Sequence, residues 1–229
     1  MALLVLALLG CRATAPTAAP TAAHGAHGVG HGAHGGDHFV DPERFVPAWN
    51  ASDRDVWQKP DEIVAALALR PGDTVVDLGA GTGYLVPPLS AAVGPTGAVV
   101  AADLEPAMLR FLEAAAPKEG WTNVRTLLTA ADDPRLAPAS VRGIVALNVW
   151  HHIEGREAYA AKVAAALQPG GAFVIVDFLP EATEGFGPPL AMRVRADQVV
   201  RELTAGGLRA EVVTESMPRH YVVRGLKPE

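Results

Sequence analysis

The most constraining feature of the chain is an apolar run that breaks on three alternating glycines, Val75-Val76-Asp77-Leu78-Gly79-Ala80-Gly81-Thr82-Gly83-Tyr84. Thr74 to Leu78 reads as a short buried strand, and the glycines fall where it hands over to a helix. Glycine at such a turn admits positive φ and lets a ligand lie against bare backbone. The helix N-terminus that follows presents unpaired N–H groups to a carboxylate or phosphate. A second apolar run, Ala98 to Ala102, ends on Asp103, 20 residues beyond Gly83. A carboxylate at that position can accept both hydroxyls of a ribose.

The rest of the chain from residue 39 repeats the pattern. Helices are predicted over Pro42–Trp49, Pro60–Leu69, Pro106–Ala116, Glu154–Leu167 and Ala196–Ala205. Strands are predicted over Val124–Leu128, Gly143–Leu147, Ala172–Val176, Ala210–Thr214 and Tyr221–Arg224. Buried strands alternating with helices imply an α/β fold, a mostly parallel Rossmann-like sheet covered on both faces. The apolar fraction of 49% supplies a sizeable core, and the net charge of −6 argues against a general nucleic-acid-binding surface. A single cysteine excludes a disulfide framework and a multi-cysteine zinc site.

Residues 75–85 resemble motif I of the class I S-adenosylmethionine-dependent methyltransferases, and Asp103 matches their ribose-binding acid. Leu167-Gln168-Pro169-Gly170-Gly171 resembles the family's LxPGG turn before strand five, and Asn148-Val149-Trp150-His151-His152-Ile153 its segment after strand four. Arg54…Trp57-Gln58-Lys59-Pro60, Ile175-Val176-Asp177-Phe178 and Pro218-Arg219-His220-Tyr221 resemble an uncharacterised bacterial subgroup. The resemblance runs from about residue 55 to the C-terminus and implies seven strands, the last antiparallel. An NAD-type site fits less well. Its GxGxxG pattern needs glycine where Tyr84 stands, and Asp77 would repel a pyrophosphate but attract a methionine ammonium.

By this resemblance the cofactor is S-adenosylmethionine. Asp77 holds its amino group, Gly79, Ala80, Gly81 and Gly83 form the turn beneath it, and Asp103 with Leu104 meets the ribose. Asp132 matches the position that meets the adenine amino group, although two acids before Pro134 also suit a plain turn. Asn148 lines the pocket mouth or caps the chain. Methyl transfer from a sulfonium is an in-line displacement in which the protein chiefly aligns the reactants. A base is needed only for a protonated acceptor. His151 and His152 are the candidates, and adjacent loop residues are not expected both to face the pocket. Tyr84, Trp57, Arg219, His220 and Tyr221 are assigned to the acceptor side, and Leu179 to Arg193 to a flanking lid. Pro87 and Pro88 fall in the helix after the glycines, where the first N–H groups lack partners in any case.

Residues 1–38 differ in kind. Ala2 to Leu9 is uninterrupted and apolar but far short of the roughly 20 residues of a membrane span. Leu8-Leu9-Gly10-Cys11 resembles a lipoprotein signal, in which cleavage precedes a cysteine that becomes lipidated. This predicts a signal over residues 1–11 and a protein held at the surface of the bacterial envelope membrane. A misassigned start would leave it cytoplasmic. Residues 12–38 are rich in Ala, Pro, Gly and His and read as a disordered tether. Its His24, His27, His31, His34 and His38 can bind metal weakly, and a polar spacer explains them equally well. Residues 39–229 form the expected methyltransferase domain. It acts on a small-molecule acceptor, without nucleic acid and with no protein partner readable. The alternative is a non-catalytic cofactor-binding or scaffold module. S-adenosylmethionine is made in the cytosol, which sets the leader and the cofactor in tension.

Overall fold

A computed structural model describes residues 39–181 and 187–229. The strand–helix repeat closes into one seven-stranded sheet. Its strands are β1 (Thr74–Leu78), β2 (Ala98–Asp103), β3 (Val124–Leu128), β4 (Val141–Leu147), β5 (Leu167–Phe178), β6 (Arg209–Val213) and β7 (His220–Leu226). They lie in the order β3-β2-β1-β4-β5-β7-β6. β7 alone runs antiparallel to its neighbours, pairing Asp177 with Tyr221 and Phe178 with His220. The mostly parallel Rossmann-like sheet with an antiparallel last strand is therefore present.

The period-two alternation of side chains sorts each strand's residues onto two cores. Val76, Val100, Ile144 and Ile175 face α6 (Arg156–Ala166) and α7 (Ala196–Ala205). Val75, Val99, Val145 and Val174 face α3 (Pro60–Leu67) and α4 (Val86–Val93). All eight are completely buried, as strands covered on both sides must be. α5 (Pro106–Glu119) covers β2 and β3 through Leu112.

Element ends differ from the sequence expectation for local reasons. α3 stops at Leu67 because Ala68 turns left-handed at φ 50°. α6 begins only at Arg156, after Gly155 at φ 60°. α5 runs on past Pro117 to Gly120 at φ 69°. β5 begins at Leu167, not Ala172, since the Leu167–Gly171 turn stays in the sheet as a bulge. The register there jumps from Val141↔Leu167 to Gly143↔Ala172. Pro87 and Pro88 sit in the first turn of α4, where they cost the helix nothing it would otherwise have. Ahead of the sheet, α1 (Pro42–Trp49) is followed by a one-turn helix that sequence periodicity is too short to show, α2 (Arg54–Gln58). Cys11, His24, His27, His31, His34 and His38 lie outside the described residues, as do the bounds 1–11 and 12–38.

Candidate functional site

Every parallel strand delivers its carboxyl end to one edge, and α1, α2 and the start of β7 are gathered there. The loop after β1 is pinned to β2 by the Gly79 and Ala80 N–H groups, which donate to the Ala102 carbonyl at 2.7 and 3.0 Å. Gly79, Gly81 and Gly83 all have positive φ, at 75°, 52° and 85°. They serve different purposes. A Cβ at Gly79 would collide with Val149, and one at Gly81 would lie 3.1 Å from the Trp49 ring. At Gly83 it would lie 2.7 Å from Leu112 and 3.3 Å from Trp121. Gly83 is thus fixed by packing on α5 and does not face the same space as Gly79 and Gly81. Ala80 is buried beside Val86, Ala101 and Leu112.

The backbone expected to be bare is instead roofed by α1. Phe45 stacks on Trp49 at 4.5 Å, Phe39 meets both rings at an angle from 5.4 and 5.6 Å, and Trp49 reaches Gly81. The Asn50 amide donates to the Thr82 carbonyl at 3.2 Å, and the Thr82 hydroxyl donates back to Asn50 Oδ1. A cavity of about 480 Å³ opens on the outer side of this roof, among Asn50, Asp55, Thr82, Tyr84, Phe111 and Trp121. It does not include Asp77, Gly79, Gly81 or Asp103.

Beneath the roof lie two acids. The Asp103 carboxylate accepts from the Gly81 N–H at 2.8 Å and the Glu105 N–H at 2.9 Å. Four lone-pair sites on a carboxylate leave capacity for further donors. Asp77 is only 3% exposed, and no hydrogen bond to its carboxylate is present among the described residues. Burial, reinforced by Asp103, pushes the Asp77 carboxyl up to about 7, while Arg54 pulls the other way. Burial also raises Asp103, against the backbone donors that stabilise its charge.

Arg54 is the complementary charge. It is 8% exposed, donates to the Trp49 carbonyl and to Gln58 Oε1, and has a buried Nε without a partner. Its guanidinium lies 3.8 Å from the centre of the Tyr84 ring, and burial brings it down to about 10. No ion pair joins Arg54 to Asp77 or Asp55 among the described residues. A buried cation and a buried anion are thus held near one another but apart, an arrangement that costs stability unless something bridges them.

His151 is buried and its Nδ1 donates to Asp177, at 2.8 Å from Oδ1 and 3.0 Å from Oδ2. Asp177 also accepts the His151 and Phe178 N–H groups, at 3.1 and 2.8 Å. A carboxylate only accepts, so Nδ1 carries a proton; in the neutral ring Nε2 is then the acceptor, and it is buried without a partner among the described residues. His152 instead is exposed, its ring 4.1 Å from that of His151. Asn148 adopts φ 59° at the end of β4 and its Oδ1 accepts from His220 Nε2 at 3.0 Å. His220 is fully buried and its Nδ1 has no partner.

Other predicted residues fall outside this group. Asp132 has an 86% exposed side chain beside Lys162 on α6. Tyr221 is core: its hydroxyl donates to the Val194 carbonyl at 2.9 Å on the α7 face. Leu104, 50% exposed, follows Asp103 at the rim. Tyr84 belongs to the outer cavity, where its hydroxyl donates to Asp55 at 2.7 Å. Trp57 does join the site, near-parallel to His220 at 5.9 Å and with Arg219 5.4 Å from its ring centre. Of the segment expected to form a lid, residues 182–186 lie outside the described residues, and Arg193 donates to the Pro188 and Leu179 carbonyls at 3.0 and 2.8 Å and lies over Phe178. His220, expected on the acceptor side, stands in this group, whereas Asp177 and Arg54 were given no role from the sequence. The signal available for Asp177 was a charged residue inside an otherwise apolar strand.

A family profile described as a methyltransferase domain matches residues 75–171. Nocamycin O-methyltransferase of Saccharothrix syringae is 28% identical over 160 residues, 69% of this chain and 54% of that protein. A ubiquinone/menaquinone biosynthesis C-methyltransferase of Hydrogenovibrio crunogenus is 30% identical over 112 residues, 48% of this chain and 44% of that protein. The chain thus spans about half the length of these curated relatives. A crystal structure of a SAM-dependent methyltransferase from Aquifex aeolicus superposes with a TM-score of 0.74 at 24% identity, covering 82% of this chain and 98% of that one. The stretch from β1 to the bulge of β5 thus matches the profile of a methyltransferase domain, and the sheet around it shares its fold with the Aquifex aeolicus protein.

Proposed function

We propose that the protein is an S-adenosylmethionine-dependent methyltransferase acting on a small-molecule acceptor. The observation that carries this reading is the acid pair under the glycine loop, with Asp77 buried and no hydrogen bond to its carboxylate among the described residues. Such a group favours a ligand that brings positive charge to it. The residues fit the cofactor. Asp77 would take the ammonium, the buried Nε of Arg54 the carboxylate, and Asp103 the ribose hydroxyls, with Gly79, Gly81 and Leu104 alongside. Asp132, on the surface beside Lys162, is a weak candidate for the adenine, whereas Asn148 acts through His220. When bound, the cofactor supplies an electrophilic methyl group on sulfur.

The protein's own part is alignment and proton transfer. Asp177 holds the His151 ring by Nδ1, so that Nε2 can take a proton from an acceptor hydroxyl or amine. The resulting imidazolium is stabilised by the same carboxylate, the logic of an oriented general base. Trp49 must shift for any ligand to reach the backbone at Gly81.

Isothermal titration of the full chain with S-adenosylhomocysteine tests the cofactor reading. Saturable binding is expected, and its absence from a folded protein overturns the proposal. In an acceptor screen followed by S-adenosylhomocysteine release, His151→Gln should lower turnover by about 10²–10⁴ with product affinity nearly unchanged. Equal turnover would remove His151 from the chemistry. For the N-terminal region we propose a lipidated Cys11 and a tether through residue 38, on the strength of Leu8-Leu9-Gly10-Cys11 and the change of composition that follows.

A further inference from the structure

His220 has a role that the cofactor and the base do not use. Asn148 is held left-handed at the end of β4, with its backbone N–H donating to the Val176 carbonyl at 2.8 Å. Its Oδ1 accepts from His220 Nε2, which puts the imidazole proton on Nε2 and leaves Nδ1 as a bare acceptor. Burial drives His220 down to about 3, so the ring stays neutral across the physiological range. Its Nδ1 is buried without a partner, just as His151 Nε2 is.

The two unsatisfied acceptors belong together. The His151 and His220 rings flank the same Phe178 ring, with centroids 6.3 and 4.4 Å from it. Sharing that one neighbour keeps the two rings close in space. Both imidazoles are locked by a neighbour, Asp177 in one case and Asn148 in the other, in the tautomer that accepts. A buried acceptor left unmet is costly, whereas a ligand donor that meets it earns both affinity and discrimination. The neighbouring surfaces are aromatic, with Trp57 near-parallel to His220 at 5.9 Å and Phe178 tilted against it.

Resting on the methyltransferase reading, we propose that the acceptor is a flat hydroxyarene carrying two hydrogen-bond donors. The reacting hydroxyl meets His151 Nε2 and a second O–H or N–H meets His220 Nδ1. His220 is then a specificity-determining residue. In the transfer, the hydroxyl proton passes to His151 Nε2, the oxygen forms the new bond to the methyl carbon, and the carbon–sulfur bond breaks with its electron pair returning to sulfur.

The test is titration of the full chain, saturated with S-adenosylhomocysteine, with catechol, resorcinol and phenol. At least one of the two diols should bind tenfold or more tighter than phenol. His220→Phe should bring that diol to the level of phenol while leaving phenol itself unchanged. Should His220→Phe not fold, nitrogen NMR of the wild-type imidazoles gives the same answer, since the bare Nδ1 resonance of His220 must move when the diol is added. Equal affinities for diols and phenol, no binding of any of the three, or an unmoved Nδ1 resonance overturns the inference and leaves the cofactor reading intact. Failure of S-adenosylhomocysteine to bind overturns both.

Discussion

Asp77 and Arg54 each carry a charge into a place where water is scarce, and neither directly meets an opposite charge. The consequence is a pH dependence of definite sign. With its carboxyl raised to about 7 from an ordinary value near 4, Asp77 favours the folded state in its protonated form. That contribution is present at low pH and is lost as pH climbs towards 7. A ligand ammonium requires the ionised form, so affinity should move the opposite way. Binding of S-adenosylhomocysteine should strengthen roughly tenfold between pH 6 and pH 8, since a proton must leave first below 7. Asp77→Asn should bind more weakly and with a flat profile. Calorimetry at three pH values checks this, and a flat wild-type profile would dissociate Asp77 from the ligand. The acids at this site were legible because they bracket a glycine turn within one strand–helix–strand unit. Arg54, Asp177 and the pairing of His220 with Asn148 were not, because their meaning lies in partners far along the chain. His151 and Asp177 are 26 residues apart, and Asn148 and His220 are 72 apart.

Among the elements, the sheet was the readable part. Runs such as Val75-Val76 and Val99-Val100 are apolar on both faces, which only a doubly covered strand needs. Boundaries were set by features periodicity does not register, such as the left-handed Ala68 and the bulge that keeps Leu167 to Gly171 in β5. α1 was expected as a helix, but its position over the glycine loop depends on aromatic stacking that sequence spacing does not encode. In that position α1 covers the loop. Trp49 is packed on Gly81, held by its ring contacts with Phe39 and Phe45 and by the Arg54 bond to its carbonyl. Trp49→Ala removes the part that touches the loop and leaves the helix backbone, whose alanine propensity is high. Association of S-adenosylhomocysteine should then speed up by about tenfold, reflecting a covered state that no longer has to open first. Stopped-flow mixing measures it. An unchanged association rate, with the variant folded, would show that Trp49 does not limit entry.

At the scale of the molecule, the topology places every functional group on one edge of the sheet. The remaining question is where that edge works. Among the described residues no helix is long and apolar enough to cross a membrane, so the proposed attachment rests on the leader alone. The chemistry of that leader makes a sharp prediction. If Cys11 is the processed terminus, the mature chain loses residues 1–10, its thiol bears a diacylglycerol thioether, and its new amine is open to a further acyl chain. One chain alone would hold the protein only marginally, whereas two or three suffice for stable anchoring. Intact-mass analysis of protein from its native host should therefore show the truncation together with the lipid mass. Cys11→Ser should keep residues 1–10 and move the protein out of the lipid-modified membrane fraction. An unprocessed terminus with an unmodified thiol would place the domain beside the cytosolic supply of S-adenosylmethionine and dissolve the tension between leader and cofactor. The lipidated form would instead require that the cofactor reach the domain outside the cytosol, or that it be bound before export.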